Sequence, residues 1–265
     1  MIWIGTSGWQ FRDWRGPFYP ETLPQSRWLE FYAARFQTVE VNNTFYRLPA
    51  PEVFAAWRAA TPADFRVVAK LSRFLSHMKR LRDPEEPVRR FLAHAAPLGD
   101  RLGPVLLQLP TAMTCDRERL EHFLAVWPPE PRLAIELRHP SWFAPEIFAL
   151  LSRHRVALCL TDIDGRPHQP LVRTADWGYV RLHRGRAAPL PCYGDRPLRA
   201  WAERITDLWS DRADVFVYFN NDPHACAVRD AARFALHVDH RHRARTRAPA
   251  PRDIDLDRTP RRHAA

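Results

Sequence analysis

Polar and charged side chains recur at the ends of short apolar runs, and their types suit acid–base and anion chemistry. Glu40 and Asn42 alternate with Val39 and Val41, Lys70 ends the run VVAK, and Gln108 ends VLLQ. Glu136 and Arg138 alternate through IELR, Asp162 closes CLTD, Arg181 and His183 alternate in YVRLH, and Asn220 and Asn221 follow VFVYF. Glu136 is the first candidate for a general acid or base and Glu40 the second. Lys70 could act as a base or a Schiff-base amine, and His183 as a proton relay. Lys70, Arg138 and Arg181 together suit a phosphate or carboxylate. Asn42, Gln108, Asp162, Asn220 and Asn221 would fix polar groups of a substrate. Trp9, Tyr46 and Trp142 would stack on a sugar or a base. The plain alternative is an ion-pair network, Glu40 with Lys70 and Glu136 with Arg138 or Arg181.

Eight runs read as strands: 2–6, 38–42, 65–70, 104–109, 133–138, 156–161, 178–183 and 214–220. Helical spacing occupies 26–36, 51–60, 84–100, 116–126, 145–155, 195–210 and 222–238. Pro and acidic residues open several of these stretches, as in DPEEP at 83–87. Residues 162–177 hold two prolines and a glycine, so the sixth helical layer reads as an irregular loop. The alternation predicts an α/β fold, a TIM-type (β/α)8 or closely related parallel barrel. In such a barrel the C-terminal strand ends form the site, which is where the polar residues above fall. An open doubly wound sheet is the alternative, but no G-x-G-x-x-G or Walker lysine follows a strand.

The 265 residues carry 40 Lys and Arg against 30 Asp and Glu, a net charge of +10. With 46% hydrophobic residues, composition excludes collagen, coiled coil and wholesale disorder. The last stretch, 239–265, is rich in Arg, Pro and Ala and reads as a disordered tail after a single domain over 1–238. Its eight Arg and four Asp account for +4 of the charge. The excess therefore argues less for nucleic acid than the total suggests. No signal peptide or membrane-length apolar run is present, and a cytoplasmic protein is expected. Cys115, Cys159, Cys192 and Cys226 lie far apart, which reads as reduced thiols without a disulfide framework. Glu136, Asp162 and His183 could hold a divalent metal. Arg138 and Arg181 would repel it, so a divalent metal is the minority reading and the cofactor is otherwise unknown from the sequence.

The motifs GTSGW at 5–9, FYP at 18–20, EVNNTFYRLP at 40–49, VAK at 68–70 and LGPVLLQLP at 102–110 carry a resemblance. So do AIELRHPSW at 134–142, Asp162, YVRLH at 179–183 and YFNND at 218–222. Over residues 2–238 the chain resembles the YecE-like family, domain of unknown function 72. That resemblance implies a TIM-barrel-type fold and no established activity. Two departures stand out. Arg184 follows the YVRLH histidine where the family has Gly, and Ala225-Cys226-Ala227 stands where it has Gly-aromatic-Ala. The expected function is an enzyme acting on a small anionic or sugar-like substrate at the C-terminal rim. The alternatives are a metal-dependent phosphodiester or nucleic-acid enzyme, and a non-catalytic binder of ligand or nucleic acid through basic surface or tail.

Overall fold

The structure is a computed structural model, and it describes residues 1–255. Each apolar run folds as a strand: β1 Ile2–Thr6, β2 Thr38–Val41, β3 Arg66–Lys70, β4 Leu102–Gln108, β5 Leu133–Glu136, β6 Ala157–Ile163, β7 Gly178–Arg184 and β8 Val215–Phe219. The helices between them are α1 Trp28–Ala33, α2 Asn43–Tyr46, α3 Pro51–Ala59, α4 Glu85–Ala95, α5 Arg117–Val126, α6 Pro145–Arg153, α7 Asp195–Leu208 and α8 Cys226–His240. No α-helix lies between β6 and β7; a two-residue strand, Arg166–Pro167, pairs with β6 there. The sheet path runs β1-β8-β7-β6-β5-β4-β3-β2. Strands adjacent in sequence are thus neighbours in space, with helical crossovers, as in a TIM-type (β/α)8 barrel. β5 stops at Glu136, so Arg138 lies just beyond the strand on which the sequence put it.

Contacts divide the chain into two compact units. One holds Glu40–Thr161 and Pro167–Tyr179. In it β3, β4, β5 and β6 pair in parallel, and Gln108 stands in register with Glu136. Their Val, Leu, Ile and Ala side chains are buried, the pattern of strands covered on both faces. Local chemistry sets the helix starts. Pro51 and Pro145 open α3 and α6, and the Asp116 carboxylate accepts from the Arg119 N–H at 3.0 Å to cap α5.

The other unit holds Met1–Val39, Asp162–Arg166 and the residues from 180 onward. β1 pairs in parallel with β8, from Ile2 opposite Val215 to Thr6 opposite Phe219. Gly5 is required there, because any Cβ would run into the Thr38 carbonyl. The long loop after β1 is packed by aromatics: Tyr19 stacks on Trp28 at 4.4 Å, and Phe18 meets Phe31 edge-on at 5.5 Å.

Two expectations change. The segment read as tail is built into this unit as far as residue 255; residues 256–265 lie outside the described ones. α8 continues to His240, Thr246 N–H donates to Ile2 O at 2.8 Å, and Asp255 N–H donates to Pro17 O at 3.0 Å. Buried Arg243 donates to the Trp209 and Ser210 carbonyls, both at 2.9 Å, and Ile254 is buried. The cysteines are not all free. Cys192 and Cys226 form a disulfide, while Cys115 and Cys159 are free.

Candidate functional site

The strand ends of β3, β4 and β5 carry one connected chain of polar side chains. Lys70 Nζ donates to Gln108 Oε1 at 2.9 Å, and Gln108 Nε2 donates to Glu136 Oε1 at 2.9 Å. Arg138 Nε donates to the same Glu136 oxygen at 2.8 Å. Register explains the reach. Gln108 and Glu136 are direct partners, whereas Lys70 stands opposite Leu106, so its four-carbon stem spans to the next residue on that face. Lys70, Gln108 and Glu136 are buried, while the Arg138 side chain is one-third exposed at 33%. The chain therefore runs from the interior to solvent. Gln108 has its carbonyl toward the ammonium and its amide toward the carboxylate, which fixes its orientation without ambiguity.

Aromatic groups wall this chain. Lys70 Nζ lies 4.2 Å from the Phe45 ring centroid, a cation–π contact worth roughly 0.5–2 kcal/mol. Phe45 meets His77 edge-on at 4.9 Å and Tyr46 at 5.1 Å. Burial holds the His77 imidazole below its usual pKa, and the positive charges of Lys70, Arg138 and Arg73 push it further down. Thr44 Oγ1 donates to the Lys70 carbonyl at 2.8 Å, tying α2 to the end of β3. Glu40, fully buried on β2, accepts from the Tyr179 hydroxyl at 2.5 Å.

The other unit carries two further groups. His183 Nδ1 and Asn220 Nδ2 lie 3.0 Å apart, both half-buried. Asp162 is fully buried and accepts three bonds: from Tyr193 Oη at 2.7 Å, Trp201 Nε1 at 2.6 Å and the Gly165 N–H at 2.8 Å. Burial still raises its carboxyl pKa, against the pull of those donors. Asp230 is raised in the same way by burial, while Tyr193 N–H, Arg229 and Asn221 Nδ2 hold it down. Among the described residues no group of three His, Cys, Asp or Glu is placed to hold a metal ion.

The description "Protein of unknown function DUF72" matches residues 3–254. The chain belongs to the DUF72 family. It is 36% identical over 185 residues to the UPF0759 protein YecE of Escherichia coli K12, covering 66% of this chain and 65% of that protein. The UPF0759 protein YunF of Bacillus subtilis is 26% identical over 258 residues, covering 84% of this chain and 89% of that one. The match thus spans slightly less than two thirds of YecE. A crystal structure of a DUF72 family protein from Thermotoga maritima superposes with a TM-score of 0.77 at 30% identity, covering 90% of this chain and 99% of that one. None of these names an activity.

In this DUF72 chain the expected site residues take different places. Lys70, Gln108, Glu136 and Arg138 come together, with Tyr46 at 70% exposure beyond Phe45. Asn42 is half-buried at the start of α2. Trp142 is wholly buried and donates to the Met113 carbonyl at 2.7 Å, so it packs the loop after β5. Trp9 is buried, and its carbonyl accepts from Tyr19 Oη at 2.7 Å. Arg181 and Asn221 are buried, with Asn221 Nδ2 given to Asp230 at 2.7 Å and to Pro191 O at 3.2 Å. Arg184 forms a surface ion pair with Asp164 at 2.9 Å. His77 was not singled out from the sequence. Its signal was the dense run RFLSHMKR directly after the strand that ends in Lys70.

Proposed function

We propose that this protein is an enzyme acting on a small anionic or sugar-like substrate, with Glu136 as acid or base. The observation that carries the reading is the single hydrogen-bonded chain Lys70–Gln108–Glu136–Arg138 on three adjacent parallel strands. It sits at C-terminal strand ends, where barrels of this type keep their chemistry. Lys70 and Arg138 stand at the two ends of this chain, with the Gln108 amide and the Glu136 carboxylate between them. Two cations so placed suit a phosphate or carboxylate, which Lys70 and Arg138 would bind while Glu136 takes or gives the proton. Burial, and after it the charges of Lys70 and Arg138, hold the His77 pKa down, so an anion that neutralised those cations would raise it.

The test is turnover of a panel of phosphorylated and carboxylated sugars, followed by NMR, for wild type and Glu136→Gln. Gln keeps the shape and an acceptor for Gln108 and Arg138 but carries no proton to exchange. Products formed by wild type are expected to vanish in Glu136→Gln with the fold unchanged. Equal turnover by the variant removes Glu136 from the chemistry.

A further inference from the structure

Beside the polar chain, a segment of the same unit exposes what a folded surface ordinarily hides. Tyr46, Phe74 and Met78 are 70%, 47% and 67% exposed, three of the seven large exposed hydrophobics among the described residues. Buried Phe45 links the two segments from beneath, meeting Tyr46 edge-on at 5.1 Å and His77, inside the turn Phe74–Met78, at 4.9 Å. That turn is a π-helix, a form concentrated at functional sites. The chain then passes through left-handed backbone at three non-glycine residues, Arg80 (φ 48°), Leu81 (φ 65°) and Asp83 (φ 41°). Around these side chains stand Arg47, Arg73, Arg80 and Arg82, all exposed and without an ion pair among the described residues. The acidic groups nearby are engaged or peripheral: Asp83 pairs with Lys79 at 3.1 Å, Glu85 with His122 at 2.8 Å, and Glu86 lines a pocket beside Arg90.

We propose that this surface binds single-stranded nucleic acid. Four unpaired arginines call for a polyanion. Flat and flexible apolar side chains between them call for rings presented at intervals, which an acidic polysaccharide lacks and a duplex keeps stacked inside. The adjoining pocket, about 190 Å³ and walled by Leu48, Leu71, Phe74, Leu75 and Phe91, is too small for a whole drug-sized ligand at roughly 300–1,000 Å³. It takes one ring of a longer chain, with Arg90 and Glu86 both at its lining. The proposal goes beyond the acid–base reading and stands without it, since none of these side chains belongs to the Lys70–Gln108–Glu136–Arg138 chain.

Fluorescence anisotropy of a labelled oligo-dT of about 12 nucleotides, on the full chain, tests it. Wild type is expected to bind at low salt, more tightly than it binds a duplex of the same length. Tyr46→Ala/Phe74→Ala/Met78→Ala should weaken binding by about tenfold or more with the salt slope unchanged. Arg73→Gln/Arg80→Gln/Arg82→Gln should lower the slope by about 0.7 per arginine that meets a phosphate. All six positions are exposed, and circular dichroism checks that both variants remain folded. Glu136→Gln should bind like wild type, so failure here and failure of the acid–base reading are separate results. No binding by wild type, equal affinity for duplex or heparin, or wild-type affinity in both surface variants overturns the proposal.

Discussion

Glu136 Oε1 receives two donors, Gln108 Nε2 and Arg138 Nε, and one of them is charged. In the proposed reading the substrate anion draws Arg138 away from this oxygen or shares it with Glu136. This predicts that Arg138→Gln weakens anion binding while leaving the chain from Lys70 to Glu136 intact, as seen by phosphate titration against wild type. His77 reports the same charges. Its folded pKa lies below the usual histidine value, so the folded state binds fewer protons than the unfolded one between the two values. Stability from this group is complete above about pH 6.5 and is lost as pH falls through the depressed folded pKa. Urea midpoints across that range should show the slope in wild type and a flatter profile in His77→Gln. Asp162 and Asp230 act in the opposite sense. Their carboxyl pKa values are raised, so they cost stability as pH rises from the ordinary carboxylate range through their folded values.

At the scale of elements, all eight strands were legible in the sequence, because buried parallel strands read as short apolar runs and their C-terminal polar residues mark their ends. Lys70, Gln108, Glu136 and Arg138 were legible for the same reason: three of them end a strand and the fourth lies two residues beyond. The missing helix after β6 was legible from its prolines and glycine. Three features were not. The π-turn at Phe74–Met78 leaves no hydrophobic period to read. Trp142 looked like a stacking group because sequence shows its place in a loop and not its burial. The Cys192–Cys226 bond joins residues 34 apart that meet only when the loop after β7 comes against the start of α8, at a Cα separation of 4.8 Å. Thiol titration of the unfolded, unreduced chain should count two free cysteines, rising to four after reductant. Four before reductant contradicts the pairing. Cys226→Ser should cost about 3–4 kcal/mol in the chain-entropy account of a loop this long.

At the scale of the whole molecule, the basic excess divides differently from how composition suggests. Three of the four arginines from 241 to 247 are committed to structure: Arg243 to the Trp209 and Ser210 carbonyls and Asp211, Arg245 to Asp239, Arg247 to the Ala33 carbonyl. A tether for nucleic acid needs free charge, so the described part of that segment is better fitted to closing the fold. Composition could not reveal this, because an Arg that donates to buried carbonyls has the same one-letter code as an Arg in solvent. Truncation after residue 238 removes Arg243, Thr246 and Ile254 from buried positions, and it strips acceptors and donors from β1. The truncated protein should unfold at lower temperature by calorimetry, the loss reaching several kcal/mol from buried hydrogen bonds at about 1–3 kcal/mol each. An unchanged melting curve would make the segment an appendage. Among the described residues no helix is long and apolar enough to cross a membrane.

An anion bound against Lys70 and Arg138, as proposed, would be felt most directly by the His77 imidazole. Proton NMR of its ring across pH, with and without inorganic phosphate, should show the depressed pKa rise toward the usual histidine value when phosphate is present. The rise should be absent in Lys70→Met and in Arg138→Gln, which start from a less depressed value. A His77 pKa that phosphate leaves unchanged in wild type contradicts the account.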